Sequence, residues 1–132
     1  MKHTDIRAAT LAALKRNISD PVSWFDGRPG FIEEQDLPAV AVYMTDARAT
    51  PDIIDEDIWS AILHIEVFLK ASSPDSALDE WMESKVYPVL EDIPELAGLI
   101  ETMSASGYDY QRDDEAMMWG SADLSYSIRY VM

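Results

Sequence analysis

The chain reads as one α/β domain of the α+β type, a mixed, largely antiparallel sheet with helices packed on one face. Three stretches predict it. Residues 58–69, IWSAILHIEVFL, put Trp59, Ala61, Leu63, Ile65, Val67 and Leu69 on one side at period two, with Ile58, Ser60, Ile62, His64, Glu66 and Phe68 on the other. Ala122, Leu124, Tyr126, Ile128 and Tyr130 alternate in the same way with Asp123, Ser125, Ser127 and Arg129. Ile6, Thr10, Ala13, Leu14 and Ile18 recur at helical spacing instead, and Leu11 widens their stripe.

The first helix opens with Thr4 as a cap and Asp5 beside the positive end of the dipole. It ends near Asn17, ahead of Ser19, Asp20 and Pro21. Residues 22–25 are short and extended, closed by the turn Asp26-Gly27-Arg28-Pro29-Gly30, after which Phe31 and Ile32 begin a returning arm. Residues 39–45 form a strand with Val40, Val42 and Met44 on one face. The acidic stretch 46–57, which contains Pro51, lacks a sustained period and reads as a loop.

Residues 58–69 are then the central strand, since β-branched and aromatic residues dominate and Gly and Pro are absent. A buried helical turn is the alternative for so short an apolar run. The odd face belongs to the main core. The mixed even face is half covered, with another subunit as a candidate cover.

Ser73 as N-cap and Pro74 at the first helical position start the next helix, whose buried stripe is Leu78, Trp81, Met82, Val86, Val89 and Leu90. Pro88 removes a donor and crowds the carbonyl of Ser84, so a kink or an end near Val86 is expected. After Pro94, the spacing of Leu96, Leu99, Ile100 and Met103 predicts a short third helix that stops at residues 104–107. Tyr108 and Tyr110 alternate with Asp109 and Gln111, and the loose acidic connector 113–120 joins this strand to the last one as an antiparallel hairpin.

The 132 residues suffice for a single domain, 1–132, around one core, and 48% apolar residues with four tryptophans exclude a disordered chain. Without cysteine there is no disulfide framework, thiolate metal site or cysteine nucleophile. The start, MKHTDIRAAT, has no apolar leader-like run, and no later stretch reaches membrane-spanning length, so a cytoplasm-like location without membrane association is expected. Twenty-five acids against ten bases leave a formal charge of −15, which repels phosphates and argues against direct nucleic-acid binding. Such an excess suits basic partners, divalent cations or a protein held monomeric until it is needed; its bland reading is a solvated acidic surface.

Catalytic equipment is sparse. The histidines are His3, near the terminus, and His64, beside Glu66 on the mixed face, where a pH-sensitive pair or half a metal site competes with ordinary packing. Asp55-Glu56-Asp57 and Asp113-Asp114-Glu115 offer clustered carboxylates to hard cations, although neither has the glycine-punctuated spacing of a calcium loop. Trp24, Phe25 and Trp119 lie in or beside turns and, with Arg28, have the makeup of interface anchors; the alternative is that they plug the ends of the sheet.

The blocks MKHTDIRAA, WFDGRPG, DLPAVAVYMTDA, LHIEVFL, PDSALDEWMES, YPV, ASGYDYQRDDE and SADLSY run in order along the whole chain and closely resemble the lambda-type tail terminators, the minor tail protein U family of long-tailed phages. The resemblance is loosest at residues 17–23, 47–57 and 116–120. It implies a structural virion protein, not an enzyme: a homo-hexameric ring that caps the tail tube, ends its elongation and offers a docking surface to head-completion proteins. It also implies assembly in the host cytoplasm and a final place at the head-proximal end of the tail. The family brings no catalytic motif and requires no cofactor.

Joined to the residue reading, the resemblance makes Trp24, Phe25, Arg28, His64, Glu66 and Trp119 candidates for the ring interface. The cluster Asp113, Asp114 and Glu115 becomes a candidate Mg²⁺ site promoting oligomerisation, since six subunits would each bring a charge of −15. The competing readings are another head–tail connector or tube adaptor of similar fold, and a small metal-dependent hydrolase built on Asp113, Asp114, Glu115 and His64.

Overall fold

The computed structural model describes residues 1–51 and 57–132. Helix α1 (Lys2–Asn17) is followed by strand β1 (Ser23–Asp26), a 3₁₀ turn (Glu34–Asp36) and strands β2 (Ala39–Ala49) and β3 (Ile58–Lys70). Helix α2 (Asp75–Glu80) then widens into a π-helical turn (Trp81–Val86) and closes as α3 (Tyr87–Leu90). A 3₁₀ turn (Pro94–Leu96) leads to the hairpin of β4 (Thr102–Arg112) and β5 (Trp119–Val131). The five strands lie in the order β1-β2-β3-β5-β4. Only β1 against β2 is parallel; the other neighbours are antiparallel.

The central strand of the sequence reading is β3, paired along its whole length with β5 from Ile58↔Val131 to Lys70↔Trp119. Its odd residues Ala61, Leu63, Ile65, Val67 and Leu69 join Ala122, Leu124, Tyr126, Ile128 and Tyr130 of β5 in one apolar layer. The helices cover that layer. Ile6, Leu11, Ala13 and Leu14 of α1 enter it, as do Leu78, Met82, Val86 and Leu90 of the second helical segment. Each fully buried side chain of this size adds about 1.5–3 kcal/mol of transfer free energy, so this layer carries the fold.

Several boundaries move, each for a local reason. Helix α1 starts before Thr4, with Met1 in the cap position and Asp5 in its first turn. His3 therefore sits on a helix, its Nε2 2.6 Å from the Tyr130 hydroxyl. At the second helix Pro74, rather than Ser73, holds the cap position. The disturbance expected from Pro88 appears upstream of it as the π turn, where the Tyr87 N–H reaches back to the Met82 carbonyl. Strand β2 continues to Ala49 across a bulge between Thr45 and Arg48, with Asp46 at φ 56°. The acidic stretch read as a loop is thus partly strand.

The third helix is absent. After the single 3₁₀ turn the chain is already extended from Thr102, pairing Thr102↔Arg129 and Met103↔Ile128. The returning arm at Phe31 and Ile32 is not a strand; it belongs to the segment 27–38 that crosses the second face of the sheet. There Ile32 is buried with Ala39, Ala41, Tyr43 and Phe68, while Phe31 stays exposed. The even face of β3 is therefore covered in part by the chain's own strap.

Candidate functional site: the clasped face of the sheet

Antiparallel pairing brings the polar positions of three strands together on this second face. Tyr43 of β2 lies opposite His64, and β5 sets Asp123 opposite Glu66 and Ser125 opposite His64. The Glu66 carboxylate is wholly buried. It accepts from the Tyr43 hydroxyl at 2.9 Å, the Ser121 hydroxyl at 2.5 Å and Arg28 Nε at 3.2 Å. A buried carboxylate demands such a set, because one left unpaired would cost several kcal/mol or take up a proton.

His64 is held at both nitrogens, Nδ1 at 2.8 Å from Asp123 Oδ2 and Nε2 at 2.7 Å from the Thr45 hydroxyl. Its ring stacks on Tyr43, the centroids 4.6 Å apart. Burial, reinforced by the Glu66 and Asp123 charges, pushes the Tyr43 phenol far above its ordinary range. It therefore stays protonated and donates.

Arg28 locks the strap over this network. Besides Glu66, it donates Nη2 to the Gln111 side chain at 3.3 Å, and its guanidinium lies 5.9 Å above the Phe68 ring. Trp119 meets the same ring edge-on at 5.0 Å, and Phe25 packs against this cluster.

Five of the six residues expected at an interface thus gather on one face, namely Phe25, Arg28, His64, Glu66 and Trp119. Trp24 faces the helix-covered core instead. Trp24 and Phe25 lie on the short strand β1 beside the turn, as the extended reading of 22–25 expects, and both are half-buried. Phe25, Arg28 and Trp119 make local contacts across this face, while the Arg28 side chain remains 40% exposed.

Sequence reasoning missed Tyr43, Asp123 and Ser121 as members of the network. Their signal was available in principle: with His64 and Glu66 on the even face of β3, antiparallel partners on β2 and β5 must point the same way.

The acidic connector behaves differently. Asp113 accepts backbone N–H groups of Glu115, Ala116 and Met118, at 3.2, 3.1 and 3.0 Å. Those bonds, the Met118 and Ala116 ones foremost, hold its carboxyl below the usual range. Its oxygens thus shape the turn, while Asp114 and Glu115 are exposed. Among the described residues no three or more His, Asp or Glu side chains are grouped so as to hold a metal ion. Asp55 and Glu56 of the other acidic cluster lie outside the described residues. No helix among the described residues is long and apolar enough to cross a membrane.

On the helix side, Asp79 of α2 accepts from the hydroxyls of Tyr108 and Tyr110, at 2.8 and 2.5 Å. Those two bonds, the Tyr110 one first, lower its pKa. Arg112 adds an ion pair to Asp75. To do so it crosses Gly120, where any Cβ would collide with the guanidinium.

Glu66 accepts three hydrogen bonds and His64 is bonded at both ring nitrogens, so both side chains are committed to partners within the chain. The fold and its second face define a small α+β scaffold whose polar groups secure its own strap. The chain belongs to the phage minor tail protein U family, whose model matches residues 1–130. It is 58% identical to the tail tube terminator protein of Escherichia phage N15 over 132 residues, the full length of both chains. The tail tube terminator protein of Escherichia phage lambda matches at the same identity and coverage.

Proposed function

We propose that this protein is the tail tube terminator of its phage, a structural protein without catalytic function. In this reading it closes into a homo-hexameric ring on the end of the tail tube, stops elongation and presents the surface on which head-completion proteins dock. The observation that carries the reading is the 58% identity over the whole of both chains to two tail tube terminator proteins. At such identity, with no unmatched segment, fold and main contact surfaces are retained together.

The physical features fit this reading. The sheet ends in two unlike edges, the short parallel β1 and the long antiparallel β4. A ring needs two unlike, complementary surfaces on each subunit, because a self-complementary patch gives only a dimer. A charge of −15 on each subunit opposes closure in free solution. Contact with a complementary tube end would offset that repulsion, which makes the finished tube the trigger for ring closure.

The test is electron microscopy of tails from phage with and without this gene product. Tubes of irregular, excessive length that fail to join heads are expected in its absence. Tails of normal length that still join heads would overturn the reading.

A further inference from the structure

The helix-bearing side of the sheet carries an open recess of about 450 Å³ between the end of α3 and the start of β4. Its walls include Ile100 and Met103, and the exposed acids Glu91, Asp92 and Glu101 also line it. No side-chain hydrogen bond or ion pair within the described residues engages those three carboxylates. Tyr126 lines the recess as well and is only 5% exposed. Its hydroxyl is the one buried side-chain polar atom among the described residues that lacks a hydrogen-bond partner.

Buried polar atoms are nearly always paired, so an orphaned hydroxyl in a recess marks a place where a partner group is missing. Burial raises the Tyr126 pKa, and the neighbouring Tyr87 and Glu91 raise it further, so the hydroxyl keeps its proton. The missing group has to satisfy three conditions. It must hydrogen-bond the hydroxyl, whose oxygen can accept as well as donate, carry positive charge for the carboxylates, and bring an apolar stem for Ile100 and Met103. Arginine meets all three, and its weakly hydrated planar fork can serve a hydroxyl and carboxylates at once.

We propose that this recess receives an arginine side chain from a protein other than this chain. The stem lies along Ile100 and Met103, the guanidinium sits beside Glu91 and Glu101, and one N–H is donated to the Tyr126 oxygen. A second copy is a poor donor. Arg7, Arg16, Arg28, Lys85 and Arg112 already face carboxylates of their own subunit. The inference concerns the chemistry of the recess alone and stands apart from the terminator reading.

The full-length protein, isotope-labelled, is titrated with N-acetyl-arginine amide and in parallel with N-acetyl-citrulline amide, its neutral isostere. Saturable shifts at Ile100 and Met103 are expected with arginine, and binding about tenfold weaker with citrulline, because a charged hydrogen-bonding group is lost. Tyr126→Phe removes only the orphaned oxygen, so it should fold normally and bind arginine about tenfold more weakly. The exposed variant Glu91→Gln should weaken arginine and leave citrulline unchanged. An equal response to the two compounds, or unchanged arginine affinity in both variants, overturns the proposal. So do shifts at these residues on concentrating the protein alone, which would assign the recess to a second copy.

Discussion

The two faces of the sheet are held by different physics. On the helix side, β3 and β5 present an unbroken apolar layer, and close packing against α1 and the second helical segment supplies the stability. On the strap side the same strands present Glu66, His64, Asp123 and Ser121, and a directional network ties segment 27–38 down. The first face is tolerant of which apolar residues fill it, provided volume is kept. The second is not, because each donor and acceptor there has a designated partner. Burial makes this domain stable; the network decides how one of its faces is shaped.

The largest effect should come from cutting a hole in the apolar face. Leu63 is fully buried at the centre of β3, and Leu63→Ala should cost about 2–5 kcal/mol in urea-induced unfolding, with the strap retained in what remains folded. A loss within the error of the fit would mean that the helix layer is not the seat of stability.

A smaller and more local effect is expected from Glu66→Gln. It keeps the shape but removes the charge facing Arg28 and turns one acceptor into a donor, at about 1–3 kcal/mol. Amide exchange should speed up selectively across residues 28–37. Uniform acceleration over the whole sheet would show that the network supports the core and not the strap.

The smallest effect sharpens the contrast through pH. Asp79 and Asp113 both have depressed carboxyl pKa values, Asp79 through Tyr110 and Tyr108, and Asp113 through the amides of Met118, Ala116 and Glu115. A carboxylate with a lowered folded pKa contributes stability that is present above its unfolded value, about 4, and lost as pH falls through the folded one. Amides of β4 and the turn 113–118 should therefore lose protection below about pH 4 while the β3–β5 ladder keeps it. Simultaneous loss across both ladders would break the distinction.

Much of this architecture was legible from periodicity. The strict alternation in β3 and β5, and the stripe of α1, were legible because burial on one face of a strand or helix imposes a fixed repeat. The invented third helix shows the limit. Leu96, Leu99, Ile100 and Met103 fit helical spacing over too short a window, and β5 instead recruits residues from Thr102 onward as its partner. Likewise β2 extends past Thr45 because β3 pairs with Arg48 and Ala49 across a bulge. The acidic sequence there gave no hint of it.

At the site, His64, Glu66 and Arg28 stood out as residue types, but their roles did not. Arg28 acts as a clasp on buried Glu66 while keeping 40% of its side chain exposed. A variant such as Arg28→Glu would set a like charge against buried Glu66, so it reads local unclasping before any contact with a neighbour. Tyr43 and Asp123 were invisible singly, since only strand register makes them neighbours.

The order of the strands has one further consequence, for the path by which the chain reaches this state. The pairs β2–β3 and β4–β5 join stretches near each other in sequence and can be laid down early. The β3–β5 ladder between them, in contrast, encloses residues 71–118, the whole second helical segment and β4. Closing that loop costs configurational entropy before any of its contacts return free energy. Two locally assembled halves must therefore find each other in a single non-local search, and topology rather than stability sets how fast a newly made subunit matures.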